Sequence, residues 1–215
     1  MKLARPDIFH PRIVLAGPGD DAGLIAALRK RGLHGHSMAW DHPDTLRADL
    51  VILRAAPDDR KAFVAWTRRV RNLLNAPDVV AWNMDNHYLR DIRHAGVPTA
   101  PRAQSQTALV FFGGVQSHAF SSQRAVDADF ELWDLGQAAL QAAAERVGVG
   151  ADELLYARAD VTDDARLVKL DLIGPSLGWE RLDEATRDDA QRQFALSVES
   201  ALDRLGLGPL SHRRP

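Results

Sequence analysis

Leu154-Leu-Tyr-Ala-Arg-Ala-Asp-Val161, the break Thr162-Asp-Asp-Ala165 and Arg166-Leu-Val-Lys-Leu-Asp-Leu-Ile173 run consecutively in the second half of the chain. Apolar and polar residues alternate on both sides of the Asp-rich break, which predicts two antiparallel strands joined by a tight turn. Pairing Val161 with Arg166 sets Ala159 against Val168, Ala157 against Leu170 and Leu155 against Leu172, because side chains repeat with a period of two. That face is expected in the core. The other face gathers Tyr156, Arg158, Asp160, Lys169 and Asp171, with Asp160 diagonal to Lys169 and Tyr156 opposite Asp171. Two carboxylates on one face suit a hard cation such as Mg²⁺. The same residues also make a solvated face of cross-strand ion pairs, each contributing about 0.2–1 kcal/mol. Lys169 favours the second reading, since a fixed cation between two acids repels a metal and pairs with them instead.

With 215 residues, of which 46% are hydrophobic, the chain can bury a core of one large or two small domains. Its net charge is −2, and Lys and Arg are scattered rather than striped. That excludes an electrostatic footprint for nucleic acid or an anionic membrane, and the Arg213-Arg214 pair is too short to change it. There are no cysteines, so disulfides, thiolate catalysis and cysteine zinc sites are excluded. The eight histidines show no HExxH spacing. No segment approaches the roughly 18–20 apolar residues of a membrane span, and the N-terminus lacks a signal-peptide core, so a cytoplasmic location is expected.

Working outward from the hairpin, the first hundred residues read as alternating strands and helices. Arg12–Ala16 is a strand opening into Gly17-Pro-Gly-Asp20, and Leu24, Ile25 and Leu28 then give helical spacing up to Gly32. Neither GxGxxG nor a GK[ST] ending is present in that loop, and Asp20 and Asp21 would repel a phosphate. Leu33–Trp40 and Asp49–Leu53 follow as strands, Asp58–Leu74 as an amphipathic helix, Val79–Trp82 as a short strand, and Asp85–Ala95 as a helix stopped by Gly96. Alternation of this kind predicts a Rossmann-like parallel sheet over residues 1–98. Ligands of such sheets meet the carboxyl ends of strands, which nominates Arg54, equally a candidate for a structural salt bridge, and the loop after Trp82.

Residues 99–107 read as a linker. Ala108–Phe112 and Val115–Phe120 flank Gly113-Gly114 as a second hairpin, Asp134–Val147 is a helix, and Phe194, Val198, Ala201 and Leu205 mark a last helix. Residues 108–215 are therefore an α+β unit with an antiparallel sheet of about four strands and two helices, and the whole chain is of the α/β class.

Several words of the chain arrive in the order found in ATP-grasp proteins: Asp49-Leu-Val-Ile-Leu-Arg54, Phe63-Val-Ala-Trp66, Leu74-Asn-Ala-Pro77, Trp82-Asn-Met-Asp-Asn-His-Tyr-Leu89, Gly96-Val-Pro98, Phe111-Phe-Gly-Gly114, Ser117-His-Ala119, Tyr156-Ala-Arg-Ala-Asp160 and Leu172-Ile-Gly-Pro-Ser-Leu177. The chain resembles the glutathione synthetase and RimK type, in particular the branch with the cycloserine-forming ligase. The resemblance implies a pre-ATP-grasp domain followed by a reduced ATP-grasp C-terminal subdomain. It also implies a ligase chemistry that joins a carboxylate to an amine through an acyl phosphate made from ATP and Mg²⁺. Arg54, Asn83, Asp85, His118 and Arg158 are then remnant substrate contacts, and Asp160 and Asp171 the metal ligands if the ligase chemistry persists.

The chain departs from that pattern where the chemistry lies. Between Gly-Val-Pro and Phe-Phe-Gly-Gly the family carries a small lobe over ATP, with a phosphate-binding lysine; here Thr99–Leu109 alone separates them. The second lysine near the phosphates is Asn86, an Arg-Lys pair is replaced by Ser121-Ser122, and the glutamate expected after Asp160 is Lys169. Phosphoryl transfer rests on positioning and charge neutralisation, so these losses point to a non-catalytic binding or assembly module with no cofactor. The alternatives are an ATP- and magnesium-dependent ligase completed by a partner chain, and a small-molecule sensor using Arg54, Asn83 and His118. An unpaired edge on the Leu109–Phe120 hairpin predicts a homodimer.

Overall fold

The computed structural model describes residues 10–19, 21–55, 57, 59–101 and 106–208. Asp20 of the glycine loop, Asp58 at the expected helix start, residues 102–105 of the linker and Arg213-Arg214 lie outside them.

Arg12–Ala16 (β1), His34–Met38 (β2), Leu50–Leu53 (β3) and Leu73–Leu74 (β4) form a parallel sheet in the order β2-β1-β3-β4. β1 and β3 are almost wholly apolar and buried, as central strands covered on both faces must be. Helix α1 (Ala22–Lys30) leads from β1 to β2, and α2 (Arg60–Thr67) from β3 to β4. The helix expected to run to Leu74 ends seven residues earlier. Leu73-Leu74 instead fills the slot beside β3, where Val51 N–H donates to the Asn72 carbonyl at 2.9 Å. The strand expected at Val79–Trp82 is part of helix α3 (Pro77–Asn83). Four apolar residues are too few to tell the two periods apart, and Pro77 suits a first helical turn. Helix α4 (Tyr88–His94) ends before Gly96 as the sequence predicts.

The second sheet is antiparallel, in the order β7-β6-β5-β8-β9, with β5 (Thr107–Phe112), β6 (Val115–Phe120), β7 (Ala125–Val126), β8 (Tyr156–Val161) and β9 (Leu167–Asp171). It has one strand more than expected, because the two-residue β7 is too short to leave a periodic signal. Gly113 and Gly114, at φ +56° and +75°, make the two-residue turn between β5 and β6 that only positive φ allows. The β8–β9 register differs from the predicted one. Asp160 lies opposite Lys169, Ala159 opposite Leu170 and Arg158 opposite Asp171, with an irregularity between Asp160 and Val161. The loop Thr162–Arg166 closes on itself, Thr162 N–H donating to the Arg166 carbonyl and Arg166 N–H to Thr162 Oγ1, so Val161 meets Leu167 and β9 slides by two residues. A slide of two leaves the side chains on their predicted faces but changes their partners.

Helix α5 (Phe130–Val147) packs over β8 and β9, while α6 (Glu184–Arg204) packs against α1, β5 and β6. Leu205, expected on the apolar stripe of α6, lies past its end and is partly exposed. The antiparallel sheet thus divides two buried clusters. Leu109, Phe111, Ala157 and Ala159 enter the one beneath α5. Val110, Phe112 and Tyr156 enter the other, which continues without a break through Phe194 and Val198 of α6 into β1 and β3.

Tyr156, expected on a polar face, is fully buried at this junction. Its hydroxyl lies 2.7 Å from the carbonyl oxygen of Leu53 and 2.9 Å from that of Ile173, tying the end of β3 to the chain after β9. Asn75 Nδ2 donates to the carbonyls of Tyr156 and Leu172 at 3.0 and 2.8 Å, while its Oδ1 accepts from Leu155 N–H at 2.7 Å. Gly174 is pressed on the same junction: a Cβ there would lie 2.5 Å from the backbone nitrogen of Ala55.

Candidate functional site

Strand β8 presents Arg158 and Asp160 on one face, two residues apart, as its period of two requires. Arg158 Nε donates to Asp160 Oδ1 at 2.7 Å, and Arg158 Nη1 reaches the Ser176 carbonyl at 3.3 Å. Both residues line a cavity of about 620 Å³ with Phe120, Ser121, Ser122 and Arg181. Asp160 is buried, and desolvation pushes its pKa up against the lowering pull of Arg158 and Lys169. Arg181, which comes from the turn Trp179–Arg181, was missed by sequence reasoning, as was Phe120. Their meeting depends on how the chain returns after β9, for which the sequence carries no local signal.

Asp171, opposite Arg158 on β9, lines a second cavity of about 360 Å³ with Asn83, Asp85, Tyr88 and Lys169. Lys169 Nζ donates to Asp171 Oδ2 at 2.8 Å, and Asp171 Oδ1 accepts from Ile173 N–H at 3.1 Å. The prediction that Lys169 bridges both acids is corrected here: each acid bonds the cation two residues before it on its own strand, Asp160 with Arg158 and Asp171 with Lys169, although the register sets Asp160 opposite Lys169 and Asp171 opposite Arg158. Asn83, a predicted ligand contact, has both halves of its amide committed to β9, Nδ2 donating to the Leu170 carbonyl at 3.0 Å and Oδ1 accepting from Leu172 N–H at 2.9 Å. Tyr88 adds to this, its hydroxyl accepting from Leu170 N–H at 3.2 Å, and burial raises its pKa to about 12. Asp85 is exposed and bonded to His87, whose backbone N–H and ring lower its pKa.

Arg54 and His118 lie apart from both cavities. Arg54 Nε donates to Asp21 Oδ1 at 2.7 Å, with the two side chains only 4% and 2% exposed, and Arg54 Nη1 is buried with no partner among the described residues. The Asp21 charge expected to repel a phosphate is therefore spent on Arg54. His118 is buried, with Nε2 2.7 Å from the Leu177 carbonyl oxygen and Nδ1 3.0 Å from Ser117 Oγ. A carbonyl only accepts, so Nε2 carries the proton and Nδ1 accepts from Ser117. Burial lowers the His118 pKa, with the Leu177 bond opposing it.

The residues at the two acid positions do not fit a magnesium ion. Mg²⁺ is held by free carboxylate oxygens at short range in a near-octahedral shell. Asp160 and Asp171 each already hold an arginine or lysine, and Lys169 stands directly opposite Asp160. Among the described residues there is no group of three or more His, Cys, Asp or Glu that could hold a metal ion. Among them, too, no helix is long and apolar enough to cross a membrane.

Residues 8–75 match the family described as the N-terminal domain of D-cycloserine synthetase DcsG. No curated protein matches the chain. Solved structures do. The crystal structure of D-cycloserine synthetase DcsG superposes with a TM-score of 0.73 at 19% identity, over 90% of this chain and 99% of that one. The ATP-grasp ligase PsnB, complexed with precursor peptide PsnA2 and AMPPNP, gives a TM-score of 0.58 at 14% identity, over 89% and 100% of the two chains. D-Alanine–D-alanine ligase from Bacillus anthracis complexed with ATP gives 0.60 at 11% identity, over 91% and 98%. Likeness at these identities concerns the path of the backbone, and on that ground the chain carries a truncated ATP-grasp-type fold.

Proposed function

We propose that the chain is a non-catalytic derivative of an ATP-grasp ligase that serves as a binding or assembly module and works without Mg-ATP. The observation that carries this reading is the pairing of Arg158 with Asp160 and of Lys169 with Asp171, which neutralises the two acids from within the hairpin. A metal would have to displace a bonded cation from each, and the phosphoryl chemistry of the fold depends on such a metal. The test is calorimetric titration of the full chain with Mg²⁺ and AMPPNP. No heat and an unchanged melting temperature are expected; a rise of several degrees overturns the reading, because a ligand that binds the native state must stabilise it.

The ligase reading has one point in its favour, the occurrence of AMPPNP and ATP in solved structures of the same fold. Under it Asp160→Asn abolishes amide formation. The module is further proposed to be a homodimer. β7 covers β6 only at Ala119 and Phe120, and Val115 at the open end of β6 is 61% exposed. Sedimentation at micromolar concentration distinguishes a dimer from the monomer mass.

A further inference from the structure

Helices α1 and α6, one from each half of the chain, pack side by side. Gly23, Ala26 and Ala27 share a face of α1 at helical spacing, and Arg187 and Gln191 lie one turn apart on α6. With Trp179 they line a cavity of about 770 Å³, within the range of small-molecule sites. It shares no lining residue with the two cavities on the β8–β9 hairpin. The wall given by α1 is flat because its residues are small, and Gly23 has to be: a Cβ there would collide with the Gln191 amide.

Two observations point to a ligand. Trp179 is only 4% exposed, and its indole Nε1 is buried with no hydrogen-bond partner among the described residues. Buried donors are almost always satisfied. The rings packed on the indole are those of Phe112, which has no acceptor, and His118, whose Nδ1 already accepts from Ser117, so an acceptor for this N–H has to come from the cavity. The second observation is the charge left over on the wall. Arg31 is paired with Glu199, Arg192 with Asp189 and Glu180 with Arg181, which leaves Lys30 and Arg187 against Asp188. Arg187 is half-buried, and its guanidinium has no partner among the described residues. A free fork of this kind matches a carboxylate in both charge and shape.

We propose that the cavity between α1 and α6 binds a small aromatic carboxylate, its ring laid on Gly23, Ala26, Ala27 and the Trp179 indole and its carboxylate held by Arg187. Such a ligand joins the two halves of the molecule. The inference does not rest on the metal-free reading above, because no acid of the hairpin lines this cavity.

The test is calorimetric titration of the full chain with 2-naphthoate, beside the neutral 2-naphthamide and the ringless acetate, while the indole N–H resonance of Trp179 is followed in nitrogen-labelled protein. Saturable naphthoate binding that shifts this resonance is expected, with naphthamide at least about tenfold weaker, as loss of a charge-assisted contact makes it. Acetate should stay silent at about 10 mM, a range that still reports weak binding. Arg187→Gln is expected to weaken naphthoate by about tenfold, and Ala26→Phe, which sets a ring in the cavity from an exposed helix position, to abolish its binding. The second variant keeps the test decisive should the first fail to fold. The proposal is overturned by naphthoate that leaves both heat and resonance unchanged, by binding that does not move the Trp179 resonance, by naphthamide or acetate binding as tightly as naphthoate, or by undiminished binding in the folded variants.

Discussion

At the scale of single residues, burial sets the behaviour of Arg54, Asp21 and His118 more than charge does. Replacing Arg54 with Met strands the Asp21 carboxylate, and is expected to cost about 3–5 kcal/mol in urea unfolding, the range for breaking one side of a buried ion pair. A catalytic or sensor role for Arg54 would instead leave stability nearly unchanged and reduce ligand binding. His118 makes stability depend on pH. Its folded pKa lies below the ordinary 6.5, so the native state takes up the proton less readily than the unfolded chain. Its contribution is complete above about pH 6.5 and is lost as the pH falls through 6.5 toward the folded value. Urea midpoints measured at about pH 7.5 and about pH 5 are expected to differ less in His118→Gln than in the parent. Asp160 behaves in the opposite sense, since burial raises its pKa above 3.8. The native state then loses stability as pH rises from 3.8 through the folded pKa, so Asp160→Asn is expected to gain on the parent between about pH 4 and neutrality, measured in the same way. None of these three burial effects is readable from residue type alone: Arg54 stood in the sequence as an open alternative and His118 as a ligand contact, and only their surroundings in the fold decide them.

At the scale of elements, the outer edge of β9 is paired at Leu167 by the backbone of Pro98 and Ala100, and farther along by side chains. Asn83 offers β9 a donor and an acceptor, and Tyr88 offers an acceptor, from α3 and α4. Asn83→Ala leaves Leu172 N–H and the Leu170 carbonyl unpaired in a buried setting. A loss of about 1–3 kcal/mol is expected, together with faster amide exchange at Leu172 than at Ala159 in the strand centre. The hairpins and long helices that carry this edge were legible in the sequence, because alternation over six residues and a two-glycine turn are local signals. The register of β8 and β9 was not. It is set by how Thr162 and Arg166 close the loop, and a period-two pattern is blind to a slide of two. Leu73-Leu74 and Val79–Trp82 were misread for a related reason: what these short apolar runs become is decided by the neighbour that waits for them.

At the scale of the whole molecule, a buried cluster runs from Phe112 and Tyr156 of the second sheet through α6 to Ile13 and Ile52 of the first. The two halves that sequence reading separates at the 99–107 linker therefore share apolar contacts. Unfolding is expected to be a single cooperative event, with tryptophan fluorescence and far-ultraviolet circular dichroism giving coincident transitions; two separated midpoints would contradict this. The parallel and antiparallel character of the two sheets and the family likeness were visible in the chain's words, while the candidate site was visible only in part. Arg158 and Asp160 were found because one strand carries both, whereas Arg181 and Phe120 join them through contacts between distant segments. Gly174 gives the junction one more property. With Ala55 already against its α-carbon, position 174 has no room for even a methyl group. Randomising it in a library selected for folded protein should return glycine almost alone, because any other side chain would have to push aside the backbone of Arg54 and Ala55 that joins the two sheets.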